Sequence, residues 1–156
     1  MSAPRYFSKV AVTRPDDTTA YAAGDVIGTS PATVIEFANV APQGGGTIVL
    51  LYASHMINVG SSAQGQLRLH LYSSAPAGIA DNATFNLPAG DRDKYLGSLT
   101  IAAPVDLGDT MFTEDDYLRK IVVATSSSIF AIAESVSAFT PTALSIRTFE
   151  LRSAEV

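Results

Sequence analysis

The side chains that carry acid–base, nucleophilic and metal chemistry are sparse in this chain. It has two histidines, His55 and His70, and no cysteine, which excludes thiolate zinc sites, iron–sulfur ligation, disulfides and cysteine nucleophiles. A serine–histidine–acid triad needs its serine on a strained turn beside the base. Gly60-Ser61-Ser62 is not the G-x-S-x-G elbow that supplies one. Asp91-Arg92-Asp93 and Thr113-Glu114-Asp115-Asp116 offer hard oxygen ligands for calcium, but the spacing and turn glycine of an EF-hand are absent, so they read as solvated loop acids. Of the acids, Glu36, Glu134 and Glu150 fall inside strand-like segments, and nothing pairs any two of them for glycosidase work. Gly44-Gly45-Gly46 lacks the lysine and the following helix of a phosphate cradle. The expectation is a protein that is not an enzyme, with no catalytic residue, no metal and no cofactor.

Charge and length narrow the partners. Ten Lys plus Arg against fifteen Asp plus Glu give a net charge of −5, the wrong sign for gripping a phosphate backbone, so nucleic acid is not expected. No basic stretch precedes an apolar one at the N-terminus, so no signal peptide is expected. Phe37 to Leu67 contains no charged residue, yet Asn39, Pro42, the three glycines, His55 and Asn58 interrupt it too often for a membrane span. It reads as two strands joined by a glycine turn. At 156 residues and 47% hydrophobic content, the chain has the size of one domain with one core. Residues 13–156 are expected to form it, with 1–12 either an N-terminal arm or its first strand.

The elements that would position these residues are strands. All ten aspartates lie in segments that also hold Pro, Gly, Asn or Thr, as turn chemistry requires. Between them, Arg5–Thr13, Thr33–Val40, Gly46–Val59, Gln66–Tyr72, Tyr95–Ile101, Arg119–Thr125, Ile129–Glu134 and Leu144–Leu151 read as strands. Alternation is clearest at Gln66–Tyr72, where Leu67, Leu69 and Leu71 point to a core and Arg68, His70 and Tyr72 point away. Thr113–Leu118 would make at most a short turn of helix capped by Thr113. Gly44–Gly46 and Ser126–Ser128 read as hairpin turns, and Thr13–Thr19 and Ser73–Ala80 as longer surface loops. The fold class is all-β: an antiparallel β-sandwich of about eight strands, which the resemblance described below makes jelly-roll-like.

Two segments are candidate interfaces. Along Gly46–Val59, Ile48, Leu50 and Tyr52 fall on one face by simple alternation and Val49, Leu51, Ala53 and Ile57 on the other. Both faces are apolar, so the strand is either a central strand under a loop or part of a contact with another subunit. Arg5, Tyr6 and Phe7 carry side chains suited to anchoring a neighbour. Leu50, Leu51 and Tyr52 join them as partner-interface candidates.

Tyr21-Ala22-Ala23-Gly24-Asp25-Val26-Ile27-Gly28 resembles the YxxGDVvG opening of small structural proteins encoded beside the major capsid gene of tailed bacteriophages. Leu67-Arg68-Leu69-His70-Leu71-Tyr72, Pro76, Asp81-Asn82-Ala83-Thr84-Phe85, Asp91 and Tyr95-Leu96-Gly97 follow in the order seen in the same group. The resemblance spans roughly residues 10 to 150. It implies a capsid decoration or cement protein: a jelly-roll subunit, trimeric by preference, made in the host cytoplasm and bound to the major capsid protein on the outer surface of the virion. It implies no catalytic residue and no membrane. Within the motifs, Gly24 and Gly28 would permit sharp turns around a strand that Asp25 helps to start. Asp81-Asn82 would shape a turn by bonding its own backbone, Phe85 would plug the core beneath it, and Gly97 belongs to the same pattern. A carbohydrate-binding jelly-roll module and a phage tail or baseplate component are the competing readings.

Overall fold

The computed structural model describes residues 2–32, 34–60 and 64–156. The expected strand start at Thr33, and Ser61 and Ser62 beside Gly60, lie outside the described residues. Eleven strands form two antiparallel sheets: β1 Arg5–Thr13, β2 Val26–Ile27, β3 Ile35–Phe37, β4 Gly46–Ile57, β5 Leu67–Tyr72, β6 Tyr95–Ile101, β7 Val105–Asp106, β8 Met111–Asp115, β9 Lys120–Ala124, β10 Ile129–Ser135 and β11 Ile146–Glu155. The six-stranded sheet runs β1-β11-β4-β8-β7, with β9 also on β4; the five-stranded sheet runs β2-β10-β5-β6, with β3 also on β10.

Two pairs of short strands are each one strand interrupted. β2 and β3 lie end to end along β10, opposite Glu134–Ala133 and Ala131–Ile129. β8 and β9 lie end to end along β4, opposite Ile57–Ala53 and Leu50–Gly46. Counting each pair once and setting aside the short β7 leaves eight strands. First pairs with eighth, second with seventh, third with sixth and fourth with fifth, alternately in one sheet and the other. That is one long antiparallel ribbon rolled into a sandwich, the jelly-roll connectivity.

The core lies between the sheets. Leu67, Leu69 and Leu71 fill it from one side and Ile48, Leu50, Phe149 and Leu151 from the other. Several sequence expectations change here. Thr113–Leu118 contains no helical turn: Met111–Asp115 is β8, because its residues complete the ladder along β4. Gly44–Gly46 and Ser126–Ser128 are not hairpin turns. Each links a strand of one sheet to a strand of the other, β3 to β4 and β9 to β10. Arg14, expected in a surface loop, is buried.

The alternation of β4 also breaks. Tyr52 pairs with Arg152 and Leu50 with Ser153, so Leu51 is an extra residue opposite β11, a β-bulge. The bulge flips the phase. Ile48, Leu50, Ala53, His55 and Ile57 are all buried on the core side, while Leu51 and Tyr52 together line a surface groove. Leu50 is therefore corrected from interface candidate to core residue, with 0% of its surface exposed. Asp116–Arg119 bulges out across from the same point, where four residues span what two span on β4.

Candidate binding face

The outer side of the six-stranded sheet is built from alternate residues of its strands. Along β1 these are Arg5, Phe7, Lys9, Ala11 and Thr13, all exposed. The register then sets Phe7 beside Arg152 and Tyr52, and Lys9 beside Glu150, Ser54 and Glu114. At the far margin β9 turns Ile121 and Val123 outward, 61% and 58% exposed, and Phe7 is 66% exposed at the near one.

A groove of about 660 Å³ crosses this face, lined by Arg5, Tyr6, Phe7, Lys9, Leu51, Tyr52, Asp116, Glu150, Arg152 and Ser153. Five of the six interface candidates thus stand together; Leu50 is the exception. The polar side chains are mutually held. The Arg152 guanidinium lies 4.3 Å over the Tyr52 ring and donates to Glu150 Oε1 at 2.5 Å, and that bond to the carboxylate raises the arginine's already high pKa. Tyr52 donates to Glu114 Oε2 at 2.8 Å, and partial desolvation raises its phenol. Tyr6 donates to Glu155 Oε1 at 2.5 Å, a bond that lifts the Tyr6 pKa. The arrangement suits contact: exposed apolar groups at the margins and a pre-ordered aromatic–arginine stack at the centre.

Part of the motif gathers elsewhere, around one buried carboxylate. Asp81 Oδ1 accepts from the Tyr21 hydroxyl at 2.5 Å and from the Gly28 N–H at 2.9 Å, and Oδ2 accepts from Arg14 Nη2 at 3.0 Å. Arg14 Nε donates to the Tyr21 oxygen at 2.5 Å, and Nη1 to the Asp17 carbonyl at 2.9 Å. Burial and the neighbouring Asp81 charge push the Tyr21 phenol far above its usual pKa. Asp25 Oδ2 accepts from the Ala22 N–H at 2.6 Å, and the Asn82 amide, turned to satisfy both its ends, donates to the same oxygen at 2.9 Å. Gly24 has φ +94° and Asn82 φ +62°, the left-handed region that these residue types tolerate best. Gly28 makes no such turn; its N–H is what Asp81 uses. Asp81 therefore bonds three distant groups rather than its own backbone. Gly97, φ +91°, forms a bulge in β6, where Leu96 is the extra residue opposite Leu71 and Tyr72.

Phe85 does not enter the main core. It stacks on His70 with ring centroids 3.7 Å apart, in a second cluster with Val26, Tyr72 and Ile132 on the outside of the five-stranded sheet. His70, expected on a polar face, is buried there. Its Nε2 meets Glu134 Oε2 at 2.5 Å and its Nδ1 meets the Tyr95 hydroxyl at 3.0 Å. Burial lowers its pKa, against the opposing pull of Glu134. Burial, aided by Arg147, pushes His55 well below the usual histidine value, and burial brings Arg147 itself down to about 10. These networks hold segments together.

Lys9, Arg152, Ile121 and Val123 were not singled out from sequence, and Glu150 was noted there only as an acid within a strand. The signal was present in part, since Glu150/Arg152 and Ile121/Val123 sit at the polar and apolar phases of period-2 strands. Asp91, a calcium candidate, is instead held by Lys94 Nζ at 2.8 Å and the Ala77 N–H at 2.9 Å. Among the described residues no three His, Cys, Asp or Glu side chains converge as a metal site, and no helix is long and apolar enough to cross a membrane.

No family model matches the chain, and no curated protein does. Among solved structures the chain is similar to vertex protein P5 of PRD1, at 10% identity and TM-score 0.34 over 96% of this chain and 97% of that one. It is similar to a chain of the acid-stable capsid of Helicobacter pylori bacteriophage KHP30, at 12% and 0.34 over 96% and 86%. It is also similar to a lipoprotein of Bacteroides thetaiotaomicron, at 10% and 0.32 over 97% and 84%. Scores at this level assign neither ancestry nor role, and the jelly roll stands on its own strand order.

Proposed function

We propose that this chain is a virion structural protein: a capsid decoration or cement subunit that binds the major capsid protein on the outer surface of a phage head and braces the shell, working as a homo-oligomer, by preference a trimer. The observation that carries the reading is the bare outer face of the six-stranded sheet, whose exposed Phe7, Ile121 and Val123 flank a groove with an ordered Arg152–Tyr52 stack. Exposed apolar anchors beside a fixed arginine and aromatics are what protein interfaces are enriched in. Two features support it. The segments that resemble phage structural proteins, 21–28 and 81–85, meet at Asp81. Outside this face His55, His70, Asp25, Asp81 and Asp91 are held in hydrogen-bonded networks within the fold, which suits a protein whose work is holding other proteins.

The test is co-sedimentation with empty expanded heads, together with light scattering on the free protein. Wild type is expected to pellet with heads, and an Ile121→Asp/Val123→Asp double variant to stay folded but remain in the supernatant. Failure of the wild type to bind heads, with retention on immobilised glycans, would replace this reading with the carbohydrate-binding one.

A further inference from the structure

β1 is an edge strand of the six-stranded sheet, and its backbone divides into two sets. At the two ends of the β1–β11 ladder, the Glu155 N–H donates to the Pro4 carbonyl at 3.2 Å and the Arg14 N–H to the Ser145 carbonyl at 3.0 Å. Positions 4 and 14 are thus hydrogen-bonded pairs. Antiparallel alternation then makes Tyr6, Ser8, Val10 and Val12 bonded pairs as well, and leaves Arg5, Phe7, Lys9, Ala11 and Thr13 with N–H and C=O aimed away from β11. The partner strand agrees, since Ile146, opposite Thr13, gives its carbonyl to Asn58 on the β4 side at 3.1 Å. The residues whose backbone groups point away from β11 are also those whose side chains stand on the binding face.

That edge is basic in an acidic protein. Arg5 and Lys9 flank the exposed Phe7, and among the described residues neither makes an ion pair; Glu150, across the ladder from Lys9, holds Arg152 instead. An unprotected edge invites another strand, and the side chains state which. We propose that β1 accepts an extended segment of a different protein as an added antiparallel strand, carrying acidic residues four apart with an apolar residue midway. The two acids would lie opposite Arg5 and Lys9 and the apolar side chain opposite Phe7.

A second copy of this chain does not supply that strand. No two acids of the sequence stand four apart. Pairing β1 with itself sets Arg5 against the second copy's lysine when centred on Phe7, and lysine against lysine when centred on Lys9; centred on Ser8 it gathers four cations on one face without a counter-charge. The proposal concerns the chemistry of the partner strand and stands whether or not that strand belongs to a capsid.

The probe is an acetylated, amidated peptide Thr-Glu-Thr-Val-Thr-Glu-Thr added to the full chain, read by amide hydrogen exchange in NMR. Exchange at Phe7, Lys9 and Ala11 is expected to slow about tenfold, while Ser8 and Val10, already bonded to β11, change little. Methylating the peptide's backbone nitrogens should abolish the effect. Charge reversal, with Arg5→Glu/Lys9→Glu in the protein and Lys for Glu in the peptide, should restore it. Protection without the alternation, binding indifferent to N-methylation, or no binding at all would overturn the proposal. So would light scattering that finds Arg5→Glu/Lys9→Glu self-associating with no peptide affinity in any combination, since the two cations would then only guard the edge. Peptide binding without head binding would sink the virion reading and leave this one intact.

Discussion

The two sheets turn very different backs to the outside. Behind the five-stranded sheet the chain lays its own segment 73–94, so that Ile79, Phe85 and Leu87 pack on Val26, Tyr72 and Ile132, and His70 ends up enclosed. Behind the six-stranded sheet no described segment is laid, and Phe7, Met56, Ile121 and Val123 remain exposed. One fold thus contains two kinds of apolar sheet face, one covered by the chain itself and one left exposed. Surface patches of the second kind mark interaction sites.

The sharpest way to break the comparison is within β4, where adjacent residues serve the two sides. Leu50→Asp should place a carboxylate in the core at a cost above about 4 kcal/mol and leave no folded protein. Leu51→Asp should stay folded and soluble, as circular dichroism and gel filtration would show. Equal behaviour of the two would erase the bulge-based distinction. Asp81→Ala should come next, costing about 3–5 kcal/mol in urea unfolding, because it leaves buried Arg14 without its enclosed carboxylate.

On the covered side, Phe85→Ala should cost about 2 kcal/mol, less than a deep core truncation because the ring is half-buried. On the bare side, Ile121→Ser with Val123→Thr should move stability by no more than about 0.5 kcal/mol while weakening partner binding. A large destabilisation there would mean that the face belongs to the fold rather than to an interface.

A last effect, spread over both sheets, is one of pH. His55 and His70 have pKa values lowered on folding, so below their ordinary value near 6.5 the unfolded chain binds more protons than the folded one. Their contribution is complete above that value and falls as pH drops through it, toward the lowered folded values. Stability should decline by about 1–2 kcal/mol between pH 7 and 5, given at most about 1.4 kcal/mol per pH unit for each group. His55→Gln should flatten the profile, and an unchanged slope would deny His55 the role.

Much of the architecture was legible because it is written in period-2 alternation and turn chemistry. Leu67, Leu69 and Leu71 announced a core face, and all eight principal strands could be placed. Much of what failed came from local departures from regular pairing, and the rest from contacts distant in sequence. The extra residue at Leu51 reverses every side chain beyond it, so counting by twos assigned Tyr52 to the side of Leu50 and Ala53 to the side of Leu51. Interrupting the sixth strand at Asp116–Arg119 hid β8 behind a run of acids that mimics a helix start. His70 and Tyr72 looked outward because alternation knows nothing of a covering loop. Arg5, Phe7 and Tyr52 were found as types, but their meeting in one groove depends on β11 lying between β1 and β4, a pairing that joins positions as far apart as Tyr6 and Glu155. No local signal carries that.

The place of β11 also sets a timetable. It is the last strand in chain order, yet it sits in the middle of the six-stranded sheet with β1 on one side and β4 on the other. While the ribosome is still making residues 1–145, that sheet has a gap between β1 and β4: β1 has no partner and β4 is paired only on the β8 and β9 side. Until β11 arrives, β1 and β4 are open edges of the kind that aggregate. Completion of this half of the molecule must follow the emergence of β11, so until that strand closes between them the newborn chain carries two exposed edges.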